Sequence, residues 1–328
     1  MKKKTLFKIL VSLIFLILLG CSGNKENSEK TFTLKVGTVL NEADPIYKGL
    51  ETFKKNVEEK TGGHVKVELY SGGQLGTDED VLEQAKVGAG VGIITDPGRM
   101  SNYIRDFGVL AGPYLVDNYE QSLKLMDTSV YKDLVEEFST HGFKILSFNY
   151  FQGSRNLYTK NPISSPSDLK GQRIRSSGSE IVTKSLEAMG ANTTVIPWSE
   201  AYQALQQKVI EGVEVHNSAA VGSSIYEVTS YVSLTGHFQL LTGLVISDSW
   251  FSGLPDEYKK ILIEESFNAG KQASEEVIAK DNEFLSKVKE SGVKVVDVDR
   301  EAFKNASQSV YETLGYKDLY EKIEQELK

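Results

Sequence analysis

The chain has 328 residues, 45 of them acidic and 37 basic, with one cysteine. A formal net charge of −8 argues against a nucleic-acid partner, because holding a phosphate backbone takes many clustered cations. A single cysteine offers neither an intramolecular disulfide nor a cysteine metal cluster.

The amino terminus, MKKKTLFKILVSLIFLILLGCSG, sets Lys2, Lys3, Lys4 and Lys8 before an apolar run from Ile9 to Leu19. Eleven residues of helix rise roughly 16 Å, about half of a ~30 Å hydrocarbon core. Residues 1–20 therefore read as a secretory signal peptide and not as a membrane span. Leu18-Leu19-Gly20-Cys21 looks like a bacterial lipobox, in which Cys21 becomes the lipidated, palmitate-bearing first residue; an ordinary signal peptide with a chance cysteine is the alternative. Cleavage there leaves 308 residues with 33 basic against 45 acidic side chains, a net charge of about −12. That length exceeds the ~250–300 residues at which single cores divide, so two lobes are expected. The polar stretch 21–31 reads as a tether. No later apolar stretch approaches membrane length, so the expected contact with a membrane is through the lipid anchor only.

Thr33 to Gly37 reads as a strand, and Tyr47 to Glu59 as a helix with Leu50, Phe53 and Val57 at helical spacing. Val65 to Leu69 alternates as a second strand, Ser71 to Gly76 is a loop, and Thr77 caps a helix to about Val87. Asp78, Glu79 and Asp80 favour that helix's positive end. Val91 to Thr95 is a third strand. The alternation predicts an α/β fold with a largely parallel sheet. A strand from Ile145 to Phe151, Gly153, a second extended piece from Arg155 to Thr159 and a Pro/Ser-rich connector, Asn161 to Ser167, then interrupt it. A second α/β unit follows: strand Gln172–Arg175, helix Ser179–Met189, extended Thr193–Pro197, helix Ser199 to about Ile210 and strand Gly212–His216. Pro255 to about Ser291 is helical throughout, with a kink expected near Gly270, and reaches ~50 Å. The expected organisation is two lobes with a cleft between them, 32–152 plus 241–280 and 153–240 plus 281–328.

The candidate motifs for chemistry are few. Gly88-Ala-Gly-Val-Gly92 follows a helix and precedes a strand, the reverse of a dinucleotide-binding loop, so it reads as a helix stop and turn. His64, His141, His216 and His237 lack short metal spacing and read as surface or core histidines. No nucleophile elbow is present. The reading is a protein that is not an enzyme and uses no cofactor or metal. Arg175 stands apart, because it ends a strand before a Ser176-Ser177-Gly178 loop, and ligands of open α/β sheets bind beyond the carboxyl ends of strands. Arg155 lies near the predicted lobe crossing. Two such arginines fork onto a carboxylate, or else are surface residues with acidic neighbours.

The stretch from Asp168 to Tyr231 resembles the solute-binding proteins of tripartite ATP-independent periplasmic (TRAP) transporters, the DctP family. The matching pieces are DLKGQRIR, MGANTTVIPWSEAYQALQQ, the following IEG, and SIYEVTSY, with SGGQLGTDEDVLEQAKVG earlier. The resemblance spans about residues 32 to 290. It implies a bilobed periplasmic-binding fold with a long helix bracing both lobes, closing around one organic anion. It also implies that Arg175 takes the ligand carboxylate, that Arg155 assists, and that Trp198 lines the pocket. Asp96, with Arg99 nearby, corresponds to an acidic site residue of the first lobe. Val215 and Gly178 stand where sugar-acid binders carry polar groups. That departure favours a monocarboxylate with an apolar or aromatic body over a polyhydroxylated acid. The implied partners are a small-molecule organic anion and the TRAP permease subunits in the membrane, with the receptor itself a monomer. A receptor for an ATP-driven importer or a chemosensor is the alternative, with an exported hydrolase or adhesin behind it.

Overall fold

Strand β1 (Phe32–Gly37) buries Leu34 and Val36 and leaves Thr33 and Lys35 exposed, the period of two that one covered sheet face demands. The computed structural model describes residues 31–328; the expected signal peptide, the lipidation site Cys21 and the tether up to residue 30 lie outside the described residues. Helix α1 (Pro45–Lys60) starts two residues before the expected Tyr47. Proline at the first helical position loses no hydrogen bond there, and the Asp44 carboxylate caps the turn by accepting from the Ile46 N–H at 2.9 Å. Strand β2 (Val65–Tyr70), helix α2 (Asp78–Lys86) and strand β3 (Val91–Thr95) follow, α2 opening on a Thr77–Asp80 capping box. β1 pairs with β2 and β3 in parallel.

Strand β4 runs unbroken from Phe143 to Thr159, where two shorter pieces were expected. After it come β5 (Arg173–Ser176), α3 (Glu180–Ala188), β6 (Asn192–Val195), α4 (Trp198–Gln206), β7 (Gly212–Val215) and the short α5 (Asn217–Gly222). β5 pairs in parallel with β6 and β7. A second long strand, β8 (Tyr231–Ser247), then precedes α6 (Asp256–Glu290) and β9 (Lys294–Val296). The sheet order is β2-β1-β3-β8-β4-β7-β5-β6, with β9 on β8.

The register of the antiparallel pairs fixes where the site must be. Thr95, at the carboxyl end of β3, pairs with Gly243, while Gly92 pairs with Ile246 nearer the end of β8. Val215, at the carboxyl end of β7, pairs with Asn156, and Gly212 pairs with Thr159 at the end of β4. Both parallel groups therefore point their carboxyl ends at the middle of the two long strands. There the β4–β8 ladder slips, with register shifts between Phe151 and Ser154 and between Arg155 and Leu157. Gly153, at φ 111°, is where the chain takes up the irregularity. The expected lobe boundaries at 152/153 and 240/241 fall in this stretch.

α6 is continuous through Gly270, where a kink was expected. Its 35 residues span about 52 Å. Glycine serves close approach here: a Cβ at Gly270 would run into the Asn149 side chain and lie 3.0 Å from Tyr150 Cδ2. The same helix meets α1 at Gly49, where a Cβ would lie 2.7 Å from that of Ala273. Further along, Asp281 accepts from Asn217 Nδ2 of α5 at 2.9 Å. Among the described residues no helix is long and apolar enough to cross a membrane.

Candidate functional site

The converging strand ends enclose a cavity with about 940 Å³ of free space, its mouth included. Four of the parallel strands place a residue on its wall at or just beyond the carboxyl end: Thr38 after β1, Thr95 and Asp96 at β3, Arg175 on β5, Val215 and His216 at β7. Gln152, Phe238 and Leu241 come from the irregular middle of β4 and β8.

Arg175 is 2% exposed. Its Nε donates to the Ile196 carbonyl at 2.8 Å, and its guanidinium lies 5.4 Å from the centroid of the Trp198 ring. Nη2 is buried without a protein partner, and no carboxylate among the described residues lies within ion-pair distance. Burial, and then the nearby Arg99 charge, drives its pKa down from 12.5 to about 9, so it remains a cation at neutral pH.

The other two cavity arginines are neutralised. Arg155 forks onto Glu214, with Nη2 donating to Oε1 at 2.5 Å, Nε to Oε2, and Nη2 also to the Glu214 carbonyl at 2.7 Å. Adjacent positions on β4 and β7 bring this pair together. Arg99 reaches three carboxylates: Asp78 at 3.1 Å, Glu79 at 3.1 Å and Asp96. Burial opposes its charge, but Asp78, Asp96 and Glu79 hold its pKa above the usual value. Asp96 in addition caps the turn Pro97–Met100 by accepting from the Arg99 N–H at 3.1 Å.

Of the residues singled out from the sequence, Arg175, Arg155, Trp198, Asp96, Arg99 and Val215 line one cavity. Gly178 does not. Its Cβ position lies 3.3 Å from Val195 Cγ1, and Ser177 lines the wall instead. Trp198 opens α4 and is fixed by donating Nε1–H to Ser223 Oγ at 3.0 Å, which holds its ring against the Arg175 guanidinium. Sequence reasoning missed Asp78, Thr95, Gln152 and His216. Thr95 and His216, like Arg175, stand at or just beyond the carboxyl end of a strand, and that position is their signal in the sequence. Asp78 Oδ1, Thr95 Oγ1 and both His216 ring nitrogens are buried without a protein partner, as is Arg175 Nη2. Buried polar atoms are seldom left so, and several around one cavity are what a polar guest would satisfy.

A buried, unpaired cation where the strand ends of an α/β sheet meet has the chemistry to take up an anionic solute. A family profile described as bacterial extracellular solute-binding protein, family 7 (DctP), matches residues 36–318, and the chain belongs to this family, the periplasmic solute-binding proteins of TRAP transporters, which are receptors and not enzymes. The chain is similar in structure to a TRAP periplasmic solute-binding protein of Ochrobacterium anthropi with bound L-fuconate, at 36% identity and a TM-score of 0.88, covering 91% of this chain and 100% of that one. It is similar to one from Actinobacillus succinogenes 130z with bound L-galactonate, at 30% identity and a TM-score of 0.86, over 89% and 99% of the two chains. In sequence it is 30% identical to protein YiiZ of Salmonella typhimurium over 291 residues, 86% of this chain and 88% of that one.

Proposed function

We propose that this receptor takes up an organic acid bearing one carboxylate and a hydroxylated body, and hands it to the membrane permease of a TRAP system. The observation that carries the reading is the Arg175 guanidinium, buried and without a carboxylate, in a cavity whose other two arginines already have theirs. One unpaired fork accepts one carboxylate in bidentate fashion, with the Trp198 ring behind it. A second anionic group on the ligand would meet Asp78, Asp96 or Glu214 in place of a free cation.

The apolar-bodied ligand expected from the sequence rested on Val215 and Gly178, and Gly178 lies outside the wall. Asp78, Thr95 and His216 instead offer hydrogen-bonding atoms with nothing to bind. Together with the sugar acids bound by similar proteins, this favours hydroxyls on the ligand. The two ends of the sheet act as lobes, 32–152 plus 241–280 and 153–240 plus 281–328, that close on the acid. Closure draws on contacts to both, since a ligand touching one lobe alone shifts no equilibrium. Exported and attached through lipidated Cys21, the receptor works as a monomer. Calorimetric titration with a panel of hydroxylated monocarboxylates tests the ligand class. A dicarboxylate binding tighter than all of them would refute it. Radiolabelled palmitate that enters the wild type and not Cys21→Ser tests the anchor.

A further inference from the structure

His216 is the residue that the carboxylate reading leaves unexplained. It is 3% exposed, lines the cavity, and caps nothing: its side chain makes no hydrogen bond at the start of α5. Both ring nitrogens are buried without a protein partner. Its chain neighbours are fully occupied. Asn217 accepts from Tyr158 Oη–H at 2.7 Å and donates to Asp281 at 2.9 Å, and Ser218 donates to Asp44 at 2.9 Å. The His216 backbone is fixed as well, its carbonyl accepting from the Ala220 N–H at 3.1 Å. Gly153 of the β4 irregularity packs beneath it, where an added Cβ would lie 3.6 Å from the His216 Cβ. The ring is thus held at the cavity wall by everything except its own polar atoms.

Burial and the Arg155 charge keep this imidazole neutral, so it presents one N–H donor and one lone-pair acceptor. A carboxylate has no proton to give the acceptor nitrogen. A hydroxyl both gives and takes, and so satisfies either tautomer. We propose that His216 reads a hydroxyl group on the bound acid, and so decides which acids the cavity accepts once Arg175 has taken the carboxylate. This rests on the hydroxylated-acid reading above and adds a discriminating residue to it. A site built to hydrogen-bond a hydroxyl rejects the analogue that lacks it, because its own buried polar atoms then go unpaired.

The test has two arms. Wild type is first screened by thermal shift against L-galactonate, L-fuconate, D-glucuronate, pantoate and glycerate, each beside the unhydroxylated acid of equal chain length. The best hydroxylated binder and its counterpart are then titrated into wild type, His216→Phe, His216→Gln and Arg175→Ala. His216→Phe is expected to lose about 10- to 100-fold in affinity for the hydroxylated acid and less than about threefold for its counterpart. His216→Gln, which keeps a donor and an acceptor, should recover most of that discrimination. Arg175→Ala should lose both acids. Equal loss of both acids in His216→Phe, or none, overturns the assignment while the anchor stands. A wild type that prefers no hydroxylated acid over its counterpart also overturns it. Binding of no carboxylate at all, or unchanged binding by Arg175→Ala, brings down the receptor reading itself. Ligand-free melting checks each variant's fold, and should the phenylalanine not fit, His216→Leu carries the same expectation.

Discussion

Replacing Arg175 by methionine should make the ligand-free protein more stable and nearly blind to its ligand. A guanidinium whose pKa falls from 12.5 to about 9 on folding carries about 5 kcal/mol of unfavourable charge burial. Against this stand the hydrogen bond to the Ile196 carbonyl, worth about 2 kcal/mol for a charged donor, and the stacking on Trp198, about 1 kcal/mol. Methionine is of comparable length and satisfies none of these but needs no counter-ion. The balance leaves the variant ahead by about 2 kcal/mol. At roughly 2.1 cal/mol/K per residue, a chain of about 300 residues has an unfolding entropy of about 0.6 kcal/mol/K, so its Tm should rise by about 3 °C. Affinity for the carboxylate ligand should fall by at least about 3 kcal/mol, or about 150-fold. Differential scanning calorimetry without ligand and isothermal titration with it read the two effects separately. A methionine variant that melts several degrees below wild type would mean that Arg175 is an internally satisfied structural residue, and the reasoning would fail.

Three further expectations come from the same contacts. Asp44 is buried, and desolvation, opposed by its bonds to the Ile46 N–H and Ser218, raises its pKa from 3.8 to about 6. The folded state then binds more protons than the unfolded chain between these values. This group's contribution to stability is full below about pH 4 and is lost as pH rises to about 6, by about 3 kcal/mol; Asp44→Asn should flatten that part of a urea-denaturation pH series. Glu214→Gln strips the acid from a buried fork and should lower stability by about 3–5 kcal/mol, a prediction that a Tm within two degrees of wild type would defeat. Gly270→Ala forces a methyl group against Asn149 and Tyr150 and should cost about 1–3 kcal/mol by chemical denaturation, whereas a helix lacking that contact would be stabilised by alanine.

The elements with strong local periodicity were legible in the sequence. β1, β2 and α2 stand within a residue or two of where alternation and capping put them, because one face of each is covered and the other is not, and β3, buried on both faces, shows as a short apolar run after a glycine-rich turn. The long strands were not. β4 reads as two pieces because Gly153 and the register shifts break its alternation, while β8, buried on both faces from Leu241 to Ser247, offers no period of two there. At the site, Arg175 stands out by its place at a strand's carboxyl end before a glycine-containing loop, and its expected role as anchor comes from the resemblance carried by DLKGQRIR. That Arg155 is tied to Glu214, 59 residues away, was not legible, since it follows only from the β4–β7 register. The orphaned imidazole of His216 was out of reach for the same reason: having no partner is a property of the folded neighbourhood and leaves no mark on spacing.

The strand order has a consequence for how such a chain reaches its native state. β3 can be completed only by β8, and β8 also supplies the partner for most of β4. A polypeptide emerging from its amino end therefore displays more than two hundred residues before either half of its sheet can close. During that interval the flanks of β3 and β4 are open to other chains, and closing such distant pairs is slow. The protein's exposure to aggregation is thus set by how promptly residues 231–247 arrive, and a holding chaperone would have most to protect just before they do.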